Sequence, residues 1–298
     1  MYPFLNFGSF HVGTFGLMLW LAAVCAIWVL HRNFKRNGVD ADALTIVALA
    51  TLAGIVGAKV WHELQNTHEL ALAWQMIVEP GAKHPVDVLM NFLHWFQSGF
   101  AWFGGLLAAI AVLVLQGISV KPNGLTGGKA ATRMLDLAAP AAAIGYGVGR
   151  IGCLTSGDGD YGMNTTLPWG VHMMNGADEY HRALVLPYPA NALVQPTPVY
   201  ELLFGLALGW WLWKRASKPV PLGFLTGEYL MLSGIGRFLV EFVRVNPKLY
   251  FGHTMSNAQV AALGSVIFGA LVMVMTRKNE AVEATPLPPE SDPEPAAA

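Results

Sequence analysis

Long apolar stretches without a charged residue recur along this chain. Three of them are long enough to cross a bilayer as a helix, which takes about 20 mostly apolar residues: 12–30, 97–120 and 254–275. A fourth stretch, 44–58, is shorter and reaches spanning length if Lys59 and Trp61 lie at the membrane interface. The pattern predicts four membrane-spanning helices from these segments alone.

Three further apolar segments are interrupted by ionisable residues. They cover residues 133–154, 198–213 and 223–242. Each could be a buried helix of a soluble protein if it stood alone, but beside four cleaner segments they favour further spans. We therefore predict an all-α polytopic membrane protein with seven transmembrane helices.

The lysines and arginines indicate how these helices are oriented. Positive residues concentrate in cytoplasmic loops. With the N-terminus outside, the inside loops hold most of the 18 such residues, namely Arg32, Lys35, Arg36, Lys121, Lys129, Arg133, Lys214, Arg215, Lys218, Arg277 and Lys278. The outside loops hold Lys83, Arg182, Arg244 and Lys248. The distribution predicts an outside N-terminus and an inside C-terminus.

Composition supports a membrane protein and excludes several other classes. Charged residues make up 12% of the chain and hydrophobic residues 54%, whereas soluble domains carry about 25% charged residues. The net charge of −1 provides no basic surface for nucleic acid. Two cysteines are too few for a disulfide scaffold or a four-cysteine metal site. We expect membrane lipids as partners, and neither nucleic acid nor a metal.

The domain organisation follows from the same pattern. Residues 1–278 form one predicted seven-helix membrane domain with long outside loops at about 63–96 and 156–196. The second loop is rich in Gly, Pro, Asp and Tyr and predicts an irregular periplasmic cap. The Pro-rich, acidic segment 279–298 predicts a disordered cytoplasmic tail.

Charged residues inside the apolar segments are the main candidates for chemistry. Arg150 ends the fourth predicted span in a glycine-rich run, and Arg237 lies in the sixth with Glu241 one turn later. Lys59 closes the second span and Glu201 opens the fifth. Intramembrane charges are costly and usually functional, and arginine binds phosphate through a planar fork of donors.

These charges support two interpretations. In the first, Arg150 and Arg237 form an outward-facing pocket for the phosphate of a phospholipid headgroup. In the second, Arg237 and Glu241 form a buried ion pair that only fixes helix packing. Both interpretations stay open at the level of the sequence.

The turn after Arg150 carries a further candidate, Asp158. We expect the Gly-Asp-Gly-Asp turn at 157–160 to aim Asp158 at the Arg150 pocket, because two aspartates provide too few oxygens for a hard cation. The sequence contains no Gly-x-Ser-x-Gly and no His-Glu-x-x-His motif. A nucleophile would therefore arrive with the substrate. His94, just before the third span, is a second candidate base.

Several motifs resemble those of the bacterial prolipoprotein diacylglyceryl transferases. Residues 149–152 followed by 156–158 are similar to the family signature, and residues 236–244 are the closest match. Weaker similarities lie at 15–18, 102–106 and 195–201. Together the motifs extend from the first predicted span to the end of the sixth.

The resemblance implies a specific reaction in the bacterial inner membrane, with the active site toward the periplasm. Such enzymes move a diacylglyceryl group from phosphatidylglycerol to the cysteine thiol of a preprolipoprotein signal peptide, without a cofactor. A thioether forms and glycerol phosphate leaves. Arg150 and Arg237 would stabilise the leaving phosphate, Glu241 would hold Arg237, and Asp158 would be a candidate base. The resemblance extends substrate contacts to a wider set: Lys59, Gly104, Gly105, Gly149, Arg150, Gly152, Tyr200 and Glu201.

The chain also departs from the family pattern. Phe103 replaces a common histidine before the paired glycines, Phe15 replaces a tyrosine, and Cys153 stands where the signature has asparagine. These changes leave the general base unassigned. They also leave two alternatives: a homologue with another lipid donor or acceptor, and a lipid or anion transporter.

Overall fold

The computed structural model describes residues 4–8, 10–68, 84–97, 101–156, 161–172 and 192–283, and these residues are mostly helical. Eight α-helices lie within them: α1 (Thr14–Arg36), α2 (Ala43–Gln65), α3 (Pro85–Gln97), α4 (Trp102–Val120), α5 (Gly127–Ser156), α6 (Thr197–Arg215), α7 (Phe224–Val240) and α8 (Asn257–Thr276). Their order matches the predicted order of apolar segments, with α3 as an additional helix inside the predicted loop 63–96.

Short antiparallel strands join some of the helix ends in two-stranded pairs. β1 (Phe4–Phe7) pairs with β2 (Phe10–Gly13) before α1, and β3 (Val171–His172) pairs with β4 (Leu193–Val194) before α6. β5 (Val220–Pro221) pairs with β8 (Ala281–Val282), and β6 (Lys248–Tyr250) with β7 (Met255–Ser256). Strands in the described part of the chain therefore stabilise connections, and helices form its body.

Five of the described helices are long and apolar enough to cross a membrane: α1, α2, α4, α5 and α8. Many large side chains on their surfaces are exposed, including Leu52, Leu115 and Met275, as expected for surfaces that contact lipid. The chain is therefore a multi-pass membrane protein by the length and composition of its helices. α6 and α7 coincide with the fifth and sixth predicted spans, and the count of seven spans stays a prediction.

Glycines set the distances between neighbouring helices. In α2 and α4, Gly57 and Gly104 lie so close that a Cβ on Gly104 would collide with the Gly57 carbonyl oxygen and with Trp61. In α5 and α6, a Cβ on Gly147 would lie 3.3 Å from the Gly205 Cα. Lipid gives apolar helices no hydrophobic drive to associate, so close backbone approach supplies the van der Waals contact. The predicted substrate-binding glycine Gly104 thus has a packing role.

A carboxylate from α5 caps the beginning of α7. Buried Asp136 accepts hydrogen bonds from the backbone N–H groups of Gly223 at 2.6 Å and Thr226 at 2.8 Å, and from the Thr226 hydroxyl at 2.6 Å. The first N–H groups of a helix have no partner within the helix, and Gly223 has no side chain of its own to cap them. Asp136 therefore fixes the start of α7 against the centre of the bundle.

The first residues of the predicted tail are ordered. β8 pairs with β5, and the Asn279 side chain donates to the Leu222 carbonyl at 2.7 Å. Residues 284–298 lie outside the described residues, so the disorder predicted for them stays a prediction. Most of the predicted cap also lies outside them, apart from 161–172 and 192–196.

Replacement of Gly104 by alanine tests the role of glycine in the α2–α4 contact. The added methyl group overpacks this contact, so we expect a loss of about 1–3 kcal/mol of stability, measured by thermal unfolding in detergent. Gly264→Ala in α8 is the matched control, because a Cβ there meets nothing within 4 Å. Equal melting temperatures for the two variants would contradict the packing role.

Candidate active site

Five ionised side chains meet where the ends of α5, α6 and α7 come together. They are Arg150 near the end of α5, Glu201 near the beginning of α6, Arg237 near the end of α7, and Glu241 and Arg244 just after α7. We call these five residues the arginine–glutamate cluster. The sequence predicted that Arg150 and Arg237 would meet, and the structure brings them to the same carboxylate.

Glu201 is the centre of the cluster. Its Oε1 accepts hydrogen bonds from Arg237 Nη1 at 2.8 Å and from the Tyr146 hydroxyl at 2.6 Å. Its Oε2 contacts Arg150 Nη2, and Arg244 Nη1 at 3.4 Å. One carboxylate thus contacts three guanidinium groups, one from α5 and two from the end of α7.

Glu241 forms the second centre. Its Oε2 lies 2.9 Å from Arg237 Nη2 and 3.6 Å from Arg244 Nε. Its Oε1 accepts a hydrogen bond from Ser256 at 2.7 Å and another from Asn246. Ser256 is also the N-cap residue of α8. Glu241 therefore connects the end of α7 to the beginning of α8.

The cluster is open on one side and buried on the other. The side chains of Glu201 and Glu241 are 4% and 1% exposed, whereas Arg150 keeps 14% and Arg237 27%. Tyr146 is 40% exposed as a whole residue. We call Tyr146, Arg150 and Arg237 the mouth of the cluster. These three residues are more exposed than the two carboxylates that they contact.

The charges of the cluster favour an anion at the mouth. The five side chains carry three positive and two negative charges, and all are at least partly buried. The Arg237–Glu241 ion pair that the sequence offered as an alternative is present, but it is one part of a larger group. Desolvated guanidinium groups bind phosphate and carboxylate strongly, so the described arrangement combines a structural ion pair with groups that suit an anion.

Local sequence explains how each member is positioned. Gly147 lets α5 approach α6 closely, and Pro198 in the first turn suits the beginning of α6. Arg244 is held by the cap, because Gly162 forms a β-bridge with Arg244 and the Met163 N–H donates to the Val243 carbonyl at 2.7 Å. Residues 162 and 163 thus hold the backbone that carries the third guanidinium group.

Other predicted site residues lie at different places. Lys59 is buried, pairs with Glu63 at 2.8 Å and donates to the Trp95 carbonyl at 2.7 Å. Tyr200 accepts a hydrogen bond from the Trp169 indole at 2.8 Å. The lysine therefore connects α2 with α3, and the tyrosine connects α6 with the cap.

The predicted glycines take part in helix contacts. Gly104 and Gly105 face α2, and Gly149 and Gly152 face α1. Asp158 lies outside the described residues, as does the side chain of His94. The roles proposed for these six residues in binding or catalysis stay predictions.

Sequence reasoning gave no role at the site to three of its neighbours: Tyr146 and Arg244 were missed, and Cys153 was named only as a departure from the family signature. Tyr146, Arg150 and Cys153 follow the i, i+4, i+7 spacing that places residues on one face of a helix. Arg150 Nη1 lies 3.3 Å from Cys153 Sγ. Arg237, Glu241 and Arg244 have the same spacing, but Arg244 was counted as an outside loop residue. Helical periodicity was the signal that would have found all three.

The described part of the chain gives no sign of a metal centre. It contains no group of three or more His, Cys, Asp or Glu residues arranged to hold an ion. The described side chains of the site carry guanidinium, carboxylate and hydroxyl groups.

Replacement of Glu201 by glutamine tests its central position. It leaves three closely spaced guanidinium groups without their shared carboxylate, and breaking a buried ion pair costs about 3–5 kcal/mol. We expect a clear fall in the midpoint of thermal unfolding in detergent. Glu280→Gln, at an exposed position, is the control. A melting temperature equal to that of the control would show that Glu201 does not hold the cluster together.

Comparisons with known proteins show the family of this chain. The family model for prolipoprotein diacylglyceryl transferase matches residues 3–275. The chain is 29% identical over 290 residues to the phosphatidylglycerol–prolipoprotein diacylglyceryl transferase of Methylobacillus flagellatus, covering 92% of this chain and 96% of that protein. It is 27% identical over 294 residues to the enzyme of the same name from Leifsonia xyli, covering 96% of this chain and 81% of that one. The chain therefore belongs to the prolipoprotein diacylglyceryl transferase family.

Proposed function

We propose that this protein transfers a diacylglyceryl group from phosphatidylglycerol to the cysteine thiol of a prolipoprotein. The observation that carries the proposal is the mouth of the arginine–glutamate cluster, where two partly exposed guanidinium groups are held by buried carboxylates. The names of its relatives indicate this substrate pair. The family match favours a transferase over the transporter that the sequence left open.

The reaction requires charge stabilisation at the phosphate. The thiolate sulfur attacks the glycerol carbon that carries the phosphate, an S–C bond forms, and the C–O bond breaks. The bonding electrons leave with the phosphate oxygen, so glycerol phosphate departs with one more negative charge than the lipid phosphate had. Arg150 and Arg237 lie where they can bind this charge, and donors fixed before the reaction stabilise a transition state most effectively.

Glu201 and Glu241 act as positioning residues in this scheme. Each guanidinium is oriented by at least one carboxylate, and Arg237 contacts both. Arg244 is the most buried guanidinium of the three, with a side chain 7% exposed. It adds positive charge behind the mouth. Six residues outside the cluster remain proposed substrate contacts: Lys59, Gly104, Gly105, Gly149, Gly152 and Tyr200. Asp158 remains a proposed base.

We place the site on the outer side of the bacterial inner membrane. If α1, α2, α4, α5, α6, α7 and α8 all span, the excess of lysine and arginine in alternate loops puts the N-terminus outside and the C-terminus inside. The end of α5, the beginning of α6 and the end of α7 then all lie on the periplasmic side. The signal peptide of a prolipoprotein would meet the cluster there.

Labelling of introduced cysteines tests this orientation. We expect His253→Cys, in the connection before α8, to react with a membrane-impermeant maleimide in intact spheroplasts. Lys278→Cys, just after α8, should react only after the membrane is permeabilised. The unsubstituted chain controls for Cys25 and Cys153. Labelling with the opposite sidedness, or of both positions from outside, would overturn the proposed topology.

A transfer assay tests the activity itself. The purified full-length protein is incubated with phosphatidylglycerol vesicles and a peptide that carries the prolipoprotein cysteine motif, and the thioether product is followed by mass spectrometry. We expect Arg150→Ala and Arg237→Ala to lower the rate at least about hundredfold, as loss of a fixed transition-state donor does.

Two variants sharpen this assay. Arg244→Ala should lower the rate less than the two mouth variants, because Arg244 supplies charge from behind them. Arg277 lies at the end of α8 and serves as the control position. Arg277→Ala should keep the rate of the unsubstituted protein. No thioether product from the unsubstituted protein, or full rates in folded Arg150→Ala and Arg237→Ala, would refute the assignment.

A further inference from the structure

Tyr146 is the one member of the mouth that can both give and accept a proton. Its hydroxyl donates to Glu201 Oε1 at 2.6 Å, and its ring centroid lies 5.8 Å from the Arg150 guanidinium carbon. The residue is 40% exposed, whereas the Glu201 side chain is 4% exposed. The hydroxyl therefore bridges the open side of the cluster and its buried central carboxylate.

The proposed reaction has to remove a proton from a thiol. A cysteine thiol has a pKa of about 8.5, and the thiolate is the nucleophile, so at neutral pH most acceptor molecules arrive protonated. A phosphate site alone does not take this proton. A base is needed at the mouth, beside the bound lipid phosphate.

The described groups around Tyr146 and Glu201 narrow the choice of base. They are Arg150 and Cys153 on α5, Glu201 on α6, Arg237 on α7, and Glu241 and Arg244 after α7. The arginines keep their protons. Glu241 is almost fully buried and also accepts from Ser256 and Asn246. Glu201 is equally buried, but the Tyr146 hydroxyl connects it to the mouth.

We propose that Tyr146 relays the proton of the acceptor thiol to Glu201. This inference rests on the proposed transferase activity and assigns its general base. The thiol S–H donates to the Tyr146 oxygen as the phenolic proton moves to Glu201 Oε1. The sulfur then holds the electron pair that forms the S–C bond, while the C–O bond to phosphate breaks. The proton stays on Glu201 until glycerol phosphate has left. In the next step the proton passes from Glu201 to solvent.

Charge balance links the proton transfer to the departure of phosphate. Before the reaction, the three guanidinium groups and two carboxylates of the cluster carry one net positive charge. Protonation of Glu201 removes one negative charge, so the cluster carries two positive charges. At the same moment the leaving phosphate gains its second negative charge. The relay thus strengthens the attraction for the leaving group when the C–O bond breaks.

Replacement of Tyr146 by phenylalanine tests the relay in the transfer assay with the full-length protein. The variant keeps the ring and removes only the hydroxyl. With a cysteine acceptor we expect the rate at pH 7 to fall about hundredfold, the scale of general acid–base catalysis, and KM for phosphatidylglycerol to change less than threefold. The residual rate should rise with pH as the thiol ionises. Tyr229→Phe, in α7 away from the cluster, should behave as the unsubstituted protein does.

A selenocysteine acceptor separates a proton relay from a structural role. A selenol is ionised at neutral pH and needs no base, so Tyr146→Phe should use it within about threefold of the rate of the unsubstituted protein. An equal loss with both acceptors would show that the hydroxyl only holds the site together, and would overturn the proposal. An unchanged rate with the cysteine acceptor would overturn it as well. If the unsubstituted protein itself forms no thioether, the proposed function fails rather than the relay.

Solvent isotope effects give the same test without a variant, should Tyr146→Phe fail to fold. With the unsubstituted protein, transfer to the cysteine acceptor should slow at least about twofold in D2O. Transfer to the selenocysteine acceptor should not slow. Equal isotope effects for the two acceptors would contradict proton transfer through Tyr146.

Discussion

A guanidinium group in an apolar bundle must be matched by negative charge and hydrogen-bond acceptors, and the site of this protein is built around that constraint. Glu201 and Glu241 provide four carboxylate oxygens, and the guanidinium groups of Arg150, Arg237 and Arg244 converge on them. Arg150 comes from α5, whereas Arg237 and Arg244 come from the end of α7, so the contacts can form only when α5, α6 and the end of α7 are correctly placed. Removal of a single carboxylate would leave a buried charge excess, which is far more costly than the loss of an exposed ion pair. The same five side chains therefore connect the helices and carry the proposed function.

The helices are held in place by features that lie away from the cluster. Glycine contacts let α5 approach α1 and α6, and the Asp136 carboxylate fixes the beginning of α7 against α5. Asp136 holds the beginning of α7, and Arg237 lies near the end of the same helix. The hydrogen bonds of Asp136 therefore limit the position of the Arg237 guanidinium group. The 161–163 segment fixes the backbone of Arg244 through backbone pairing. The positions of the cluster side chains thus depend on backbone contacts and hydrogen bonds, because the hydrophobic effect does not drive helices together within lipid.

The apolar pattern of the sequence predicted where the long helices lie, because spanning segments leave a strong signal. It also predicted Arg150, Arg237 and Glu241, since a charge inside such a segment is conspicuous. Arg244 was missed because its position after the sixth segment resembles an ordinary loop, and only β-pairing with Gly162 brings it inward. Tyr146 was missed because its only sequence signal is the four-residue spacing to Arg150 on one face of α5, and its partner Glu201 lies on another helix. Lys59 was assigned to the same site, but it pairs with Glu63 at the α2–α3 contact, a long-range arrangement that no local pattern specifies.

A buried charge does not by itself indicate function in this fold. The surroundings of Asp136 and of the Lys59–Glu63 pair differ from those of the arginine–glutamate cluster. Asp136 is buried, but three hydrogen bonds to the beginning of α7 account for its position. Lys59 and Glu63 balance each other, with both side chains at or below 10% exposed. The arginine–glutamate cluster differs in two respects, because its members carry an excess positive charge and because the exposure of its side chains rises from Glu241 to Arg237. An ion pair that only stabilises a fold gains nothing from excess charge or from an open side, since both raise its electrostatic cost. A site that binds an anionic headgroup requires both.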